Sequence, residues 1–341
     1  MNNRSIVLVG GPDSGKTNYI GRLWLAFRAR NGKLIADKLP TNIQYVDDAV
    51  AHLMTGRFAP RSERNMEDGR RDFTVQVTVA GTEGPLTNLT VPDITGELWN
   101  RAVETYQLPE EWIETLRGSS AAILFVRAHS KFNHQPMDWV TARDALKIED
   151  LEGDDEDLDT VGDIDDDDDD DRVAIPEERP ARQAQLSSLH EVAPTLPPDS
   201  DAPAAAAKTP KAKLPAQVAL CELVRYLEHL LATRRDGGKP RVAVVVSAWD
   251  MLDAETRAAG PTAYLRSQFP LFAGRIEDFG QLEIKTFGLS IVGGDLKNNQ
   301  AFKESVLGKD PSELGYCVTF KNGIVEQHAD VTTPIAWALG Y

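Results

Sequence analysis

Eight consecutive residues, Gly10-Gly11-Pro12-Asp13-Ser14-Gly15-Lys16-Thr17, fit the pattern G-x-x-x-x-G-K-S/T at every specified position. Each residue type there has a physical role toward a phosphate chain. Gly10 and Gly15 let the backbone wrap an anion without Cβ clashes, so that the N–H groups through Asp13 and Ser14 and the start of the next helix point inward. Lys16 would reach the β- and γ-phosphates and so carry the catalytic positive charge, while the Thr17 hydroxyl would ligate Mg²⁺. The plainer alternative is a glycine turn that happens to precede a lysine.

Three later segments carry chemistry in the same direction. Asp93-Ile94-Thr95-Gly96 closes an apolar run, the position of an acid that helps to hold Mg²⁺ and of a glycine, Gly96, whose N–H meets the γ-phosphate. Alone it reads equally as a strand-ending turn. Ser247-Ala248-Trp249-Asp250 closes another run, where guanine-binding proteins carry N/T-K-x-D. An aspartate there accepts hydrogen bonds from the guanine edge and rejects a base that cannot donate them. Asp250 fits and Ala248 does not, since the motif has a lysine there that packs over the base; a helix N-cap is the alternative use of Asp250. Gly288-Leu289-Ser290 ends a third run, and Ser290 is a further candidate for nucleotide contact.

These segments need strands that deliver them and helices that cover the strands. Ser5 to Val9 is β-branched and apolar, which predicts a buried strand, and Asn18 to Arg30 places Ile20, Leu23, Trp24 and Phe27 at helical spacing. Gly32 to Pro40 reads as a loop or short strand and Thr41 to Met54 as an amphipathic helix, before a polar loop over Arg57 to Arg71. Asp72 to Ala80 and Leu86 to Val91 alternate as a hairpin, and Leu98 to Arg117 is helix-like. Ala121 to Val126, Arg241 to Val246 and Leu282 to Phe287 are continuous apolar runs of the kind found in doubly covered parallel sheets. Met137 to Lys147, Val218 to Arg235, Pro261 to Phe269 and the stretch from Thr333 read as helices, with two strands, Tyr316 to Phe320 and Ile324 to Gln327, around Lys321-Asn322-Gly323. The predicted fold is an α/β P-loop NTPase with a mostly parallel sheet, helices on both faces and one antiparallel strand pair.

Composition divides the chain into three. Residues 1–148 and 216–341 form the two parts of one folded domain, and residues 149–215, first acidic and then Pro/Ala-rich with no hydrophobic period, read as a disordered insertion. Glu149 to Asp171 holds sixteen acids and no Lys or Arg, which accounts for the whole net charge of −16. A neutral remainder argues against a nucleic-acid-binding surface. No stretch has the apolar length of a transmembrane helix, and Met1 leads directly into the first strand, so a cytoplasmic location away from membranes is expected. Cys221 and Cys317 lack metal or redox spacing and read as reduced, small apolar residues. His129 and His134 have no third ligand at metal spacing and read as loop histidines.

Gly10–Thr17, Asp93–Gly96, Ser247–Asp250 and Gly288–Ser290 follow the order and spacing of the G1, G3, G4 and G5 boxes, so the chain resembles the translation-factor-related and Ras-like class of P-loop GTPases. With its closing Asp330-Val331-Thr332-Thr333-Pro334-Ile335-Ala336-Trp337 stretch it is most similar to the bacterial double-GTPase domains of multi-gene conflict or signalling systems. The resemblance implies Ras-like topology, GTP or GDP as ligand with Mg²⁺, switching on hydrolysis, and protein partners such as an effector or activating protein. It implies that Glu97 takes the place of a water-orienting glutamine. It also implies a switch hydroxyl before the Asp72 strand, for which Ser62 is the better placed candidate and Thr41 the other. An ATPase, and a nucleotide sensor that does not hydrolyse, are the alternative functions.

Overall fold

Ile6, Val7, Leu8 and Val9 leave no surface exposed to solvent, and the strand they form stands at the centre of everything that follows. The computed structural model describes residues 2–38, 44–59, 70–82, 86–130, 133, 214–278, 280–310 and 313–341. The chain divides into two units, one made of residues 1–137 with 213–341 and the other of residues 138–212. All described residues belong to the first. The helix read over Met137 to Lys147, and the insertion read over 149–215 up to its last two residues, lie outside the described residues.

Nine strands among the described residues make one sheet, in the order β2-β3-β4-β1-β5-β6-β7-β8-β9. They are β1 (Asn2–Val9), β2 (Leu34–Lys38), β3 (Arg70–Val79), β4 (Thr87–Ile94), β5 (Ala121–Arg127), β6 (Arg241–Ser247), β7 (Glu283–Ser290), β8 (Tyr316–Lys321) and β9 (Ile324–His328). The five from β4 to β7 run parallel through the centre. The expectation of a single antiparallel pair needs correction, because β2 and β3, β3 and β4, β7 and β8, and β8 and β9 all pair antiparallel. At one edge a five-residue strand stands where the sequence left a loop or strand open. At the other, the Asn322-Gly323 turn, with φ of 52° and 81°, folds β8 and β9 into a hairpin.

Alternation along the central strands sorts their side chains to two faces. Ile6, Leu8, Ile123, Phe125, Ala243 and Val245 pack under α1 (Lys16–Ala29), α2 (Gln44–Met54) and the closing helix Thr333–Leu339. Val7, Val9, Leu124, Val126, Val244 and Val246 pack under α3 (Gly96–Thr105), α4 (Glu110–Arg117) and α5 (Ala216–Leu230). The helix expected over Leu98 to Arg117 is two helices. Tyr106 turns left-handed at φ 56°, and Pro109, the residue before α4, disfavours the helical conformation for the residue ahead of it. Between β6 and β7 run three short helices, α6 (Ala254–Ala259), α7 (Pro261–Gln268) and α8 (Pro270–Glu277), punctuated by Gly260, Pro261 and Pro270; α7 is the helix expected over Pro261 to Phe269, and the other two flank it. A further helix, α9 (Gln300–Leu307), is capped by the Asn299 side chain, which accepts from Phe302 N–H; α10 is the closing helix Thr333–Leu339.

The loop-bearing helix α1 is tied to the far end of the chain. Tyr19 donates its hydroxyl hydrogen to the Val331 carbonyl at 3.0 Å, and Arg22 Nε donates to the Leu314 carbonyl at 2.6 Å, both buried. Burial pushes the Arg22 guanidinium down to about 10, opposed by the charges of Asp330 and Asp310. Asp330 in turn accepts from the backbone N–H of Lys33 and of Thr332, so the closing stretch holds the residue that leads into β2.

Gly288 leaves room for the buried indole of Trp249. A Cβ there would fall 2.6 Å from the indole Cδ2, whereas a Cβ at Gly274 in α8 would meet nothing within 4 Å. Gly288→Ala is therefore expected to lower stability by about 1–3 kcal/mol through overpacking. Gly274→Ala should be neutral or stabilising by up to about 1 kcal/mol through helix propensity. Denaturant titration of both variants measures the contrast.

Candidate functional site

The chain leaves β1 at Gly10 and enters α1 at Lys16, and between them it adopts a shape that L-residues resist. Asp13 has φ 59° and Gly15 has φ 89°, and Gly15 is the residue from which α1 starts, its carbonyl accepting from Tyr19 N–H at 2.9 Å. A Cβ on Gly10 would sit 3.0 Å from both the Phe125 carbonyl and Ser14 Oγ. Lys16 curls back into this loop and is only 6% exposed. Its Nζ donates to the carbonyls of Gly10 (2.8 Å) and Gly11 (3.0 Å) and to Ser14 Oγ (3.2 Å), so the loop encloses a buried ammonium.

Other strand ends brace the loop. Ser247, 2% exposed at the end of β6, donates its hydroxyl to the Ser14 carbonyl at 2.8 Å. Arg127, the last residue of β5, donates from Nη1 to the Asp13 carbonyl at 2.8 Å and to Asp13 Oδ1 at 2.7 Å. Gly96, the first residue of α3, lies so close to Gly11 and Pro12 that any side chain would collide with their backbone. Trp99 of the same helix donates its indole N–H to the Leu8 carbonyl at 3.3 Å, which anchors α3 on β1.

A cavity of about 330 Å³ opens at these strand ends. Asp13, Ser14, Gly15, Lys16 and Thr17 line it, with Thr95, Gly96 and Glu97 on one side and Ser247, Ala248 and Asp250 on another. This is the crevice outside the carboxyl ends of parallel strands where open α/β sheets bind ligands. Ile291, Val292, Asp295 and Lys297 from the segment after β7 complete the wall. Asp295 accepts from the backbone N–H of Asn298 and Lys297; the Asn298 bond, foremost, holds its carboxyl below the usual carboxylate range. Phe58 and Ala59 close the opposite rim, Ala59 N–H being held by Asn18 Oδ1 at 2.8 Å.

Several expected site residues stand apart from the lining. Trp249 faces the core, edge-on to Tyr264 with centroids 6.0 Å apart. Ser290 is wholly buried and accepts from Gly293 N–H at 2.8 Å, which shapes the turn after β7 without reaching the cavity. Gly10 lies beneath the loop as an acceptor for Lys16. Asp93, the penultimate residue of β4, is in register with Leu8 of β1 and Arg71 of β3, which puts its backbone beside the strand that feeds the loop. Ser62, Thr41 and His134 lie outside the described residues. No group of three or more metal-binding side chains occurs among the described residues.

Arg127 escapes a reading that looks for motifs, because it belongs to none. The signal available was positional: it is the first polar residue after the apolar run of β5, at the carboxyl end of a strand adjacent to β1. Asp295 and Lys297 had no such signal, since their segment has no periodicity.

An α/β domain with a parallel-centred mixed sheet, a glycine loop between its central strand and first helix, and a cavity where the neighbouring strands end is the class these observations define. A family model described as Double-GTPase 1 matches residues 7–338, nearly the whole chain, and the chain belongs to that family. Membership implies binding of a guanine nucleotide. No curated protein matches the sequence.

The Ser247 hydroxyl holds one carbonyl of the loop. Ser247→Ala is expected to weaken GDP binding by about three- to tenfold, the worth of one buried hydrogen bond. Isothermal titration calorimetry checks it.

Proposed function

We propose that this chain binds GTP with Mg²⁺ and hydrolyses it to GDP and phosphate as a conformational switch within a multi-protein system. One observation carries the reading: a single cavity is lined by residues from the Gly10–Thr17, Asp93–Gly96 and Ser247–Asp250 segments and from the segment that follows Ser290. The order β3-β4-β1-β5-β6-β7, with only β3 antiparallel among these six, supports a Ras-like core that β2 extends at one edge and β8–β9 at the other.

In this reading Lys16 exchanges its loop carbonyls for phosphate oxygens, and the backbone N–H groups of Asp13 to Lys16 take the remaining charge. A hydroxyl and a carboxylate are hard oxygen donors suited to Mg²⁺, and Thr17 and Asp93 are the residues that would hold it. Held there, Mg²⁺ would supply positive charge to neutralise the phosphoryl oxygens. Glu97, exposed on the cavity rim at the start of α3, orients the attacking water. Water oxygen bonds to the γ-phosphorus as the bond to the bridging oxygen breaks, and the leaving electron pair stays on GDP. Ser62 is the proposed switch hydroxyl. Asp250 accepts from the guanine edge, while Ser247 acts through the loop.

Loss of the γ-phosphate would release the Phe58–Ala59 rim and the Gly96 helix start, changing a surface that protein partners read. A cytoplasmic setting with no nucleic-acid partner fits the neutral charge outside the acidic tract, and no described helix is long and apolar enough to cross a membrane. A carboxylate at Glu97 where an amide is usual favours a second reading, in which the protein senses GTP without hydrolysing it.

Calorimetric titration with GTP, GDP and ATP, paired with a phosphate-release assay, tests the proposal. Lys16→Ala should abolish tight binding, and Asp250→Ala should erase guanine preference while leaving the fold intact. Equal affinity of the wild-type chain for ATP and GTP would overturn it. GTP bound with no phosphate released, even with partners added, would favour the sensor.

A further inference from the structure

The sequence places an alanine, Ala248, where a guanine-site motif has a lysine, and the backbone there turns left-handed at φ 56°. Strand β6 therefore offers no cation to the cavity from that position. Its neighbour does. Arg127 of β5 is in direct register with Ser247 of β6, and the two strands remain joined one residue further on by Ala128 N–H donating to the Ser247 carbonyl at 3.0 Å. From these paired positions Arg127 holds the Asp13 carbonyl and Ser247 holds the Ser14 carbonyl, two successive acceptors of the glycine loop.

The same guanidinium meets the Asp13 carboxylate, with 36% of the arginine and 34% of the aspartate side chain exposed. A carboxylate inside a loop that must hold a polyphosphate repels its ligand, and the ion pair cancels that charge locally. One terminal nitrogen, Nη1, donates to both the carbonyl and the carboxylate, and the guanidinium also lines the cavity.

We infer that Arg127 is a positioning residue of the nucleotide site, supplying from β5 the cation that Ala248 does not supply from β6, fixing the Asp13 carbonyl and neutralising the Asp13 carboxylate beside the phosphates. The inference rests on the reading of the cavity as a guanine-nucleotide site. It gives the loop a brace that includes a charge, and makes the end of β5 part of the machinery although no motif includes it.

The test uses the full chain with Arg127→Gln, Arg127→Lys, Ala248→Lys and the Arg127→Gln/Ala248→Lys pair. Calorimetry gives GDP affinity, stopped-flow release of a fluorescent GDP gives the off-rate, and thermal denaturation without nucleotide reports the fold. Arg127→Gln should weaken GDP binding about tenfold, through faster release, with an unchanged melting temperature in the absence of nucleotide. Arg127→Lys should lose less, because it keeps the charge. Ala248→Lys added to Arg127→Gln should recover most of the affinity. A merely structural Arg127 would lower the melting temperature and would not be rescued from another strand, and that result overturns the inference. So does wild-type affinity in Arg127→Gln, which leaves the nucleotide reading standing. Absence of guanine-nucleotide binding by the wild-type chain removes both.

Discussion

The glycine loop between β1 and α1 is a stretch of backbone held open in a conformation that it would not keep alone. Asp13 and Gly15 stand at positive φ, where L-residues are seldom found. Everything around the loop can be understood as the means of keeping it so. Gly96 is a glycine because the start of α3 presses against the backbone of Gly11 and Pro12. Ser247 and Arg127 grasp its carbonyls from β6 and β5, and Tyr19 and Arg22 fasten the helix that continues it to the closing third of the chain. Lys16 curls back into the loop and ties its first two carbonyls together through one ammonium.

The sheet supplies the rigidity that these contacts require. Strands β1, β5 and β6 are buried on both faces, and their ends define one wall from which the loop, Arg127 and Ser247 all project. The edges are built otherwise. Antiparallel strands at each side widen the sheet while leaving the parallel centre, where the chemistry converges, unchanged. The loop and its helix are consequently supported from both edges: α1 packs beside Phe73 of β3 on one side and bonds to Leu314 and Val331 on the other.

Much of this was legible beforehand because short-range chemistry wrote it. Buried parallel strands read as unbroken apolar runs, and the glycine loop needs residue types that few other structures require in that order. The same logic fails where tertiary contact decides. Trp249 stands inside a motif yet turns into the core, since Gly288 on the adjacent strand vacates the space for it. Ser290 shapes a turn from a wholly buried position. Arg127 carries a role that depends on strand register, and register between β5 and β6 is set by a pairing that spans more than a hundred residues of sequence. The β2–β3 pair escaped the sequence because an edge strand of five residues has too little alternation to separate it from a loop, and the β7–β8 pair because it joins strands more than twenty residues apart.

That long-range pairing of β5 with β6 has a consequence for how the chain can vary. The two strands lie side by side although residues 138–212 intervene, so the sheet is spliced across a gap in sequence. Neither the pairing of β5 with β6 nor the bonds of Arg127 and Ser247 to the loop draws on those residues. The spliced sheet is therefore nearly indifferent to how many residues the intervening unit contains. Its length and content are free to diversify, or to be replaced by a reporter domain, while the ends of β5 and β6 keep their grip on the loop.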